Sequence, residues 1–151
     1  MSSLFKAFGT DKSKEKEGVW IDVLTNDDGT ECRFKVARMG SSNKELVRRQ
    51  NVMAKKYRNN RGAPSEAQLS EMRQIFVDTV LLDWQNVEEF REAELEKAII
   101  QPGHGSVKMP FTRPNAIELF KQLPDLLDLL ASEATSLENF NAAENEEIAK
   151  N

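Results

Sequence analysis

Apolar positions follow two rhythms along this chain, and the change of rhythm divides it. Between Glu31 and Arg38, Cys32, Phe34 and Val36 alternate with charged residues, the period of a half-buried strand. The upstream run Val19-Trp20-Ile21-Asp22-Val23-Leu24 is separated from it by Asn26-Asp27-Asp28-Gly29, and Asp-Gly between two such runs predicts a β-hairpin. From Lys44 onward the rhythm is helical. Ser42-Asn43-Lys44-Glu45 has the serine-to-glutamate spacing of a capping box and predicts a helix to about Tyr57 that buries Leu46, Val47, Met53, Ala54 and Tyr57. Ser65 and Gln68 repeat the capping logic and open another helix, whose apolar positions Leu69, Met72, Ile75, Phe76, Val80 and Trp84 carry it to about Val87.

Phe111-Thr112-Arg113-Pro114-Asn115 opens a third helical stretch, and Leu123-Pro124-Asp125-Leu126-Leu127 restarts it, each proline suiting a first helical turn. Leu123, Leu127, Leu130, Ala134 and Leu137 recur at steps of four and three, with Leu126, Leu129 and Phe140 widening the stripe. That face either covers the chain's own core or holds a partner. Residues 88–110 have no single period: Glu88 to Ile100 is helix-compatible, Gln101 to Ser106 must break, and Val107 to Phe111 reads as a short extended piece. The expected fold is therefore mainly α: a helical domain with a small N-terminal antiparallel β-hairpin, α+β in class, with C-terminal helices led by Pro114 and Pro124.

Composition narrows what such a domain does. A chain of 151 residues is expected to form one domain, burying about 68–70% of the surface its unfolded state exposes. The division is an N-terminal flexible arm or short docking helix over 1–17, a single globular domain over 18–142, and an acidic disordered tail over 143–151. In the arm, Leu4, Phe5 and Phe8 form an apolar patch, while Gly9 to Glu17 is too polar to bury anything. No run reaches the length of a membrane span and the start lacks a secretory pattern, so a cytoplasmic location and no membrane partner are expected.

Chemistry is sparse. Cys32 is the only cysteine and His104 the only histidine, which rules out an internal disulfide and leaves too few ligands for a Cys/His zinc site. Cys32 lies inside a predicted strand as a small buried thiol, and His104 in the glycine-rich turn Pro102-Gly103-His104-Gly105. No phosphate-binding glycine loop, His-Glu-x-x-His, Gly-x-Ser-x-Gly or calcium-loop spacing occurs. The expectation is a protein that is not an enzyme, with no catalytic, cofactor-binding or metal residues.

Charge is distributed unevenly. Lys44, Arg48, Arg49, Lys55, Lys56, Arg58 and Arg61 face only Glu45 between residues 44 and 61. Asp125, Asp128, Glu133, Glu138, Glu144, Glu146 and Glu147 face only Lys150 beyond residue 124. The acidic end of one subunit and the basic helix of the next can meet head to tail, a contact that does not close and so builds open arrays. Candidate partner-binding residues are Leu4, Phe5, Arg48, Arg49, Lys55, Lys56, Leu126, Leu130 and Phe140. The alternative is a small cytoplasmic nucleic-acid-binding or adaptor protein that uses the basic helix 44–61. Against nucleic acid stand a net charge of −4 and Tyr57 as the one aromatic residue of that stretch.

One ordered set of residues carries a resemblance. A hairpin beginning Gly18-Val19-Trp20, the junction Val36-Ala37-Arg38-Met39-Gly40-Ser41-Ser42-Asn43, the Arg/Lys-rich helix, Val80-Leu81-Leu82-Asp83-Trp84, then Pro110 to Phe120 and Leu123-Pro124-Asp125-Leu126 follow one another over residues 18–142. This pattern resembles the tail assembly chaperones of long-tailed bacteriophages. The departure is residues 88–106, longer and more charged than the short turn the pattern has there. The resemblance implies a helical, non-catalytic protein of the host cell cytoplasm, absent from the mature virion. It would escort the tape-measure protein while the tail tube polymerises, and self-associate. It also implies a frameshift-extended form that recruits the tail tube protein, and Ala149-Lys150-Asn151 is compatible with a slippery heptamer before the stop.

Overall fold

The computed structural model describes residues 2–88 and 107–142. The helix expected over Glu88 to Ile100, the turn holding His104 and the acidic tail 143–151 lie outside the described residues, apart from Glu88 itself. Two short helices, α1 (Ser3–Phe8) and α2 (Lys12–Glu17), precede the hairpin strands β1 (Val19–Thr25) and β2 (Glu31–Val36). Helices α3 (Lys44–Lys56) and α4 (Glu66–Thr79), strand β3 (Leu81–Gln85), helices α5 (Arg113–Gln122) and α6 (Pro124–Thr135), and a 3-10 turn (Leu137–Phe140) follow.

The expectation of a mainly α domain with strands only in an N-terminal hairpin is overturned. The fold is mixed α+β, built on a three-stranded antiparallel sheet in the order β1-β2-β3. The helix expected to run from Ser65 to about Val87 stops at Thr79, and Leu81–Gln85 pairs with β2. The apolar spacing at Met72, Phe76, Val80 and Trp84 suits a helix, but two facts of tertiary structure outweigh it. A two-stranded hairpin is marginal alone, and β3 gives the outer edge of β2 its hydrogen-bonding partner. In register, Phe34 faces Trp84, their rings edge to face at 6.0 Å, while the Trp84 indole donates to the Met109 carbonyl at 2.9 Å.

The helix starts are chemically specific. Thr112 caps α5 with Pro114 in the first turn, and Ser65 and Gln68 form a reciprocal capping box on α4. At α3 the cap is Asn43 and not Ser42: its carbonyl oxygen accepts from Leu46 N, while its amide donates to Arg38 O and Thr79 O. A serine hydroxyl, with one proton, cannot serve both carbonyls. Of the α3 face expected to be buried, Leu46 is buried, Val47, Met53 and Tyr57 are half-buried, and Ala54 is exposed. Leu69 and Met72 of α4 are also exposed. Helix α3 touches the molecule mainly through α4, so only a narrow strip of it is covered.

The core lies between one face of the sheet and α4, α5 and α6. Phe34, Val36, Val80, Phe120, Leu130 and Phe140 are its largest fully enclosed side chains, and Phe76 meets Phe120 edge to face. Cys32 sits in this core on β2. The segment 12–17, expected to be too polar to pack, is held against the body. Arg38 N donates to Glu15 O at 3.1 Å, the Arg38 guanidinium lies 3.5 Å from the Glu15 carboxylate, and Asp11 N donates to Phe140 O at 2.8 Å.

Candidate interaction surface

The hairpin and the α5–α6 corner leave a gap at one end of the molecule. In β1 the pairing slips between Asp22 and Leu24, so Val23 is an extra, bulged residue and Leu24 comes to face Cys32. The bulge shifts the phase of the strand: Val19 and Ile21 lie opposite Val36 and Phe34 before it, and Leu24 opposite Cys32 after it. Across the gap, α5 ends and α6 begins at the same residue, Leu123, whose side chain provides no cap, with Pro124 fixing the turn. The result is an apolar groove of about 450 Å³. Its walls are Val23 and Leu24 on one side and Leu123, Pro124 and Leu126 on the other, over a floor of Cys32, Phe34, Val87 and Leu119. Leu24 is 53% and Leu123 49% exposed, large for leucines beside a core.

Polar groups also belong to this end, and Asn26, Glu88, Gln122 and Asp125 are among the groove's lining residues. Asn26, the one buried polar residue among those described, donates to Thr30 Oγ1 at 3.0 Å and to Asn86 O at 2.8 Å. Asn86 takes the left-handed conformation, φ 58°, and its amide donates to Glu31 O. Asp28 accepts from Lys108 Nζ at 2.6 Å and from both the amide and hydroxyl of Thr30, bonds that hold its carboxyl well below the usual carboxylate range. Burial, with a smaller push from Glu88, raises the Cys32 thiol, so the groove floor offers a neutral sulfhydryl and not a thiolate. Among the described residues no three His, Cys, Asp or Glu side chains gather closely enough to hold a metal ion, and no helix is long and apolar enough to cross a membrane.

A second apolar surface stands at the opposite end. Leu4, Phe5 and Phe8 of α1 are 72%, 64% and 68% exposed, and α1 buries no residue. The helix is nevertheless anchored: Asn141 Nδ2 donates to Lys6 O and Ala142 N to Gly9 O, each at 3.2 Å.

The nine residues named from sequence are thus scattered. Leu4 and Phe5 lie on α1, Leu126 lines the groove, and Leu130 and Phe140 are fully buried in the core, where no partner reaches them. Arg48 pairs with Glu45, Arg49 with Asp78 at 2.7 Å, and Lys56 with Glu71, while Lys55 is exposed. Asp78 also takes Arg113 at 2.7 Å, and the two guanidiniums, Arg113 foremost, hold its carboxyl below the usual range. The basic helix is therefore partly neutralised by its own chain. Sequence reading missed Leu24, Val23, Val87 and Leu119 as groove residues. The one local signal was that β1, unlike β2, does not alternate cleanly.

A family model described as YdaY prophage protein matches residues 39–151 of the chain, which takes in every helix from α3 onward. None of the curated proteins and none of the solved structures compared with the chain matches it.

Proposed function

The chain belongs to the YdaY prophage protein family, and from that premise we propose that it is a non-catalytic tail assembly chaperone of its phage. In this reading it holds the tape-measure protein in the host cell cytoplasm while the tail tube polymerises, and stays out of the finished particle. Phage origin makes a morphogenetic role available. The observation that carries the choice is the open apolar groove between the β1 bulge and the Leu123–Pro124 corner. Its exposed leucines and neutral thiol suit the apolar face of a helix or extended peptide, with the carboxylates of Glu88 and Asp125 also in the lining.

The nucleic-acid alternative is weakened by the pairing of Arg48, Arg49 and Lys56 with Glu45, Asp78 and Glu71, since cations already neutralised release fewer counterions on meeting phosphate. The test is co-expression of the tagged chain with the tape-measure protein of the same prophage. Retention of the tape-measure protein, lost on Leu24→Glu together with Leu123→Glu, is expected. No retention at any salt concentration overturns the reading. Intact masses of the products translated in the native downstream context then show whether a longer form sharing this N-terminus exists.

A further inference from the structure

We propose that the groove receives α1 of a second copy of this chain, so that subunits join head to tail. Three observations meet here. The first is complementarity of surface: α1 presents Leu4, Phe5 and Phe8 to solvent, and the groove presents Leu24, Leu123, Leu126 and Val23. A helix of six residues does not hold its shape in water without tertiary support, and among the described residues this one has a tether but no cover.

The second observation is position. The arm is fastened at Thr10 and Asn141, next to the C-terminal end of α6, whereas the groove lies at the N-terminal end of α6. Along α6, Leu126 and Ala134 stand about 12 Å apart at 1.5 Å per residue. Along β1, Val19 and Leu24 stand about 16 Å apart at the rise of a strand. The bonds on Lys6 O and Gly9 O fix the C-terminal half of α1 at the far end, so the helix cannot turn back into its own groove. A donor surface at one end and an acceptor at the other make a heterologous contact, which propagates as a ring or an open filament and does not stop at a twofold dimer.

The third is charge. Lys6 is the cation of α1, and Asp125 on the groove rim and Asp27 at the hairpin tip are exposed at the receiving end. The attraction sets register, and apolar burial supplies the affinity. The inference rests on the scaffold reading in that both use one groove: it holds α1 of a neighbouring copy when no tape-measure segment occupies it. The two readings fail separately, because the arm variant, Phe5→Glu with Phe8→Glu, keeps its groove intact and should retain the tape-measure protein whether or not copies associate.

That test is sedimentation velocity on the full chain and two variants, with circular dichroism to confirm folding. Phe5→Glu with Phe8→Glu disables the arm, and Leu24→Glu with Leu123→Glu disables the groove. Wild type is expected to grow beyond the dimer with concentration, each variant to remain monomeric, and an equal mixture of the two to give a dimer and nothing larger. Only one intact arm then meets one intact groove. A mixture that stays monomeric, a variant that associates like wild type, or a wild type that is monomeric throughout overturns the proposal. Should the groove variant not fold, charge exchange decides: Lys6→Glu should weaken association roughly fivefold, and adding Asp125→Lys should restore it. Weakening without restoration assigns Lys6 another partner and overturns the proposed docking.

Discussion

The two ends of the sheet are finished in opposite ways. At the end where β1 begins and β2 leaves, backbone is knotted to backbone. Ala37 N donates to Val80 O, Met39 N to Ala134 O and Arg38 N to Glu15 O, while the Asn43 amide bridges Arg38 O and Thr79 O. At the hairpin end Asn26 and Asp28 tie the strands to their neighbours, yet Leu24 and Leu123 are left half in water beside the core. The difference separates stability from binding. A protein that needed only to fold would cover those leucines, whereas at the knotted end the large exposed apolar side chains are chiefly those of α1, held outward from the bonded backbone.

Substitutions should therefore cost stability in the bonded backbone of the first end, and association at the groove and on α1. The largest loss is expected at Gly18, which joins α2 to β1 with φ +89°, a conformation side chains rarely adopt. A Cβ there meets Leu82 Cδ1 at 2.6 Å and the backbone oxygen of Val36 at 2.9 Å. Gly18→Ala should lower unfolding free energy by about 3 kcal/mol, strain and displaced backbone together, read from urea unfolding. Next comes Asn43→Ala, which removes the α3 cap and two bonds to carbonyls of other elements. A loss of about 2 kcal/mol is expected, roughly half from the cap and half from the carbonyls left behind. Asn43→Ser should recover the cap portion only.

Much of the fold was legible in the sequence because its signals are local. Asp28-Gly29 marks the hairpin, and Gly29 has φ +87° in its turn. Ser65 with Gln68, Pro114 and Pro124 all mark helix starts that form where expected. Strand β3 was not legible: no glycine or proline separates Thr79 from Leu81, so nothing local ends the helical rhythm, and the partner that makes a strand of it lies on β2, far back in the chain. The groove was hidden for a similar reason. Leu123 and Leu130 belong to one apolar stripe by spacing, yet Leu130 is enclosed and Leu123 half exposed, a distinction created by the bend at Pro124. Phe140 reaches the core from a 3-10 turn and not from the helix face its spacing suggests.

A smaller effect is expected at Asp78, near the knotted end, where α3, α4 and α5 meet through Arg49 and Arg113. Asp78→Asn should cost about 1 kcal/mol near neutral pH, the range of a partly exposed ion-pair network. The folded-state carboxyl lies below its ordinary 3.8, so its stabilisation is complete above that value and is lost as pH falls through the folded pKa. Wild type and Asp78→Asn should therefore converge in stability as the pH is taken below about 4. A gap that stays constant on acidification would place the effect in packing and not in charge.

The smallest expected change in stability falls at the groove, and it sharpens the contrast most. Leu123→Ser replaces a half-exposed side chain at a residue that provides no cap to α6, and Leu24→Ser does the same on the bulged strand. Each should shift unfolding free energy by no more than about 0.5 kcal/mol, as surface positions do. Apolar burial contributes about 25 cal/mol per Å², and the exposed half of each leucine contributes it only when something covers it. In the free chain about half of the removed side chain is in water already, so the loss is a fraction of that at a core position. In an assembled state the same truncation subtracts buried area, and the loss appears in sedimentation and not in unfolding of the dilute protein. If either leucine instead proves as costly to the isolated chain as a core position, about 2–5 kcal/mol, the groove is covered in the free molecule and the division between the two ends fails.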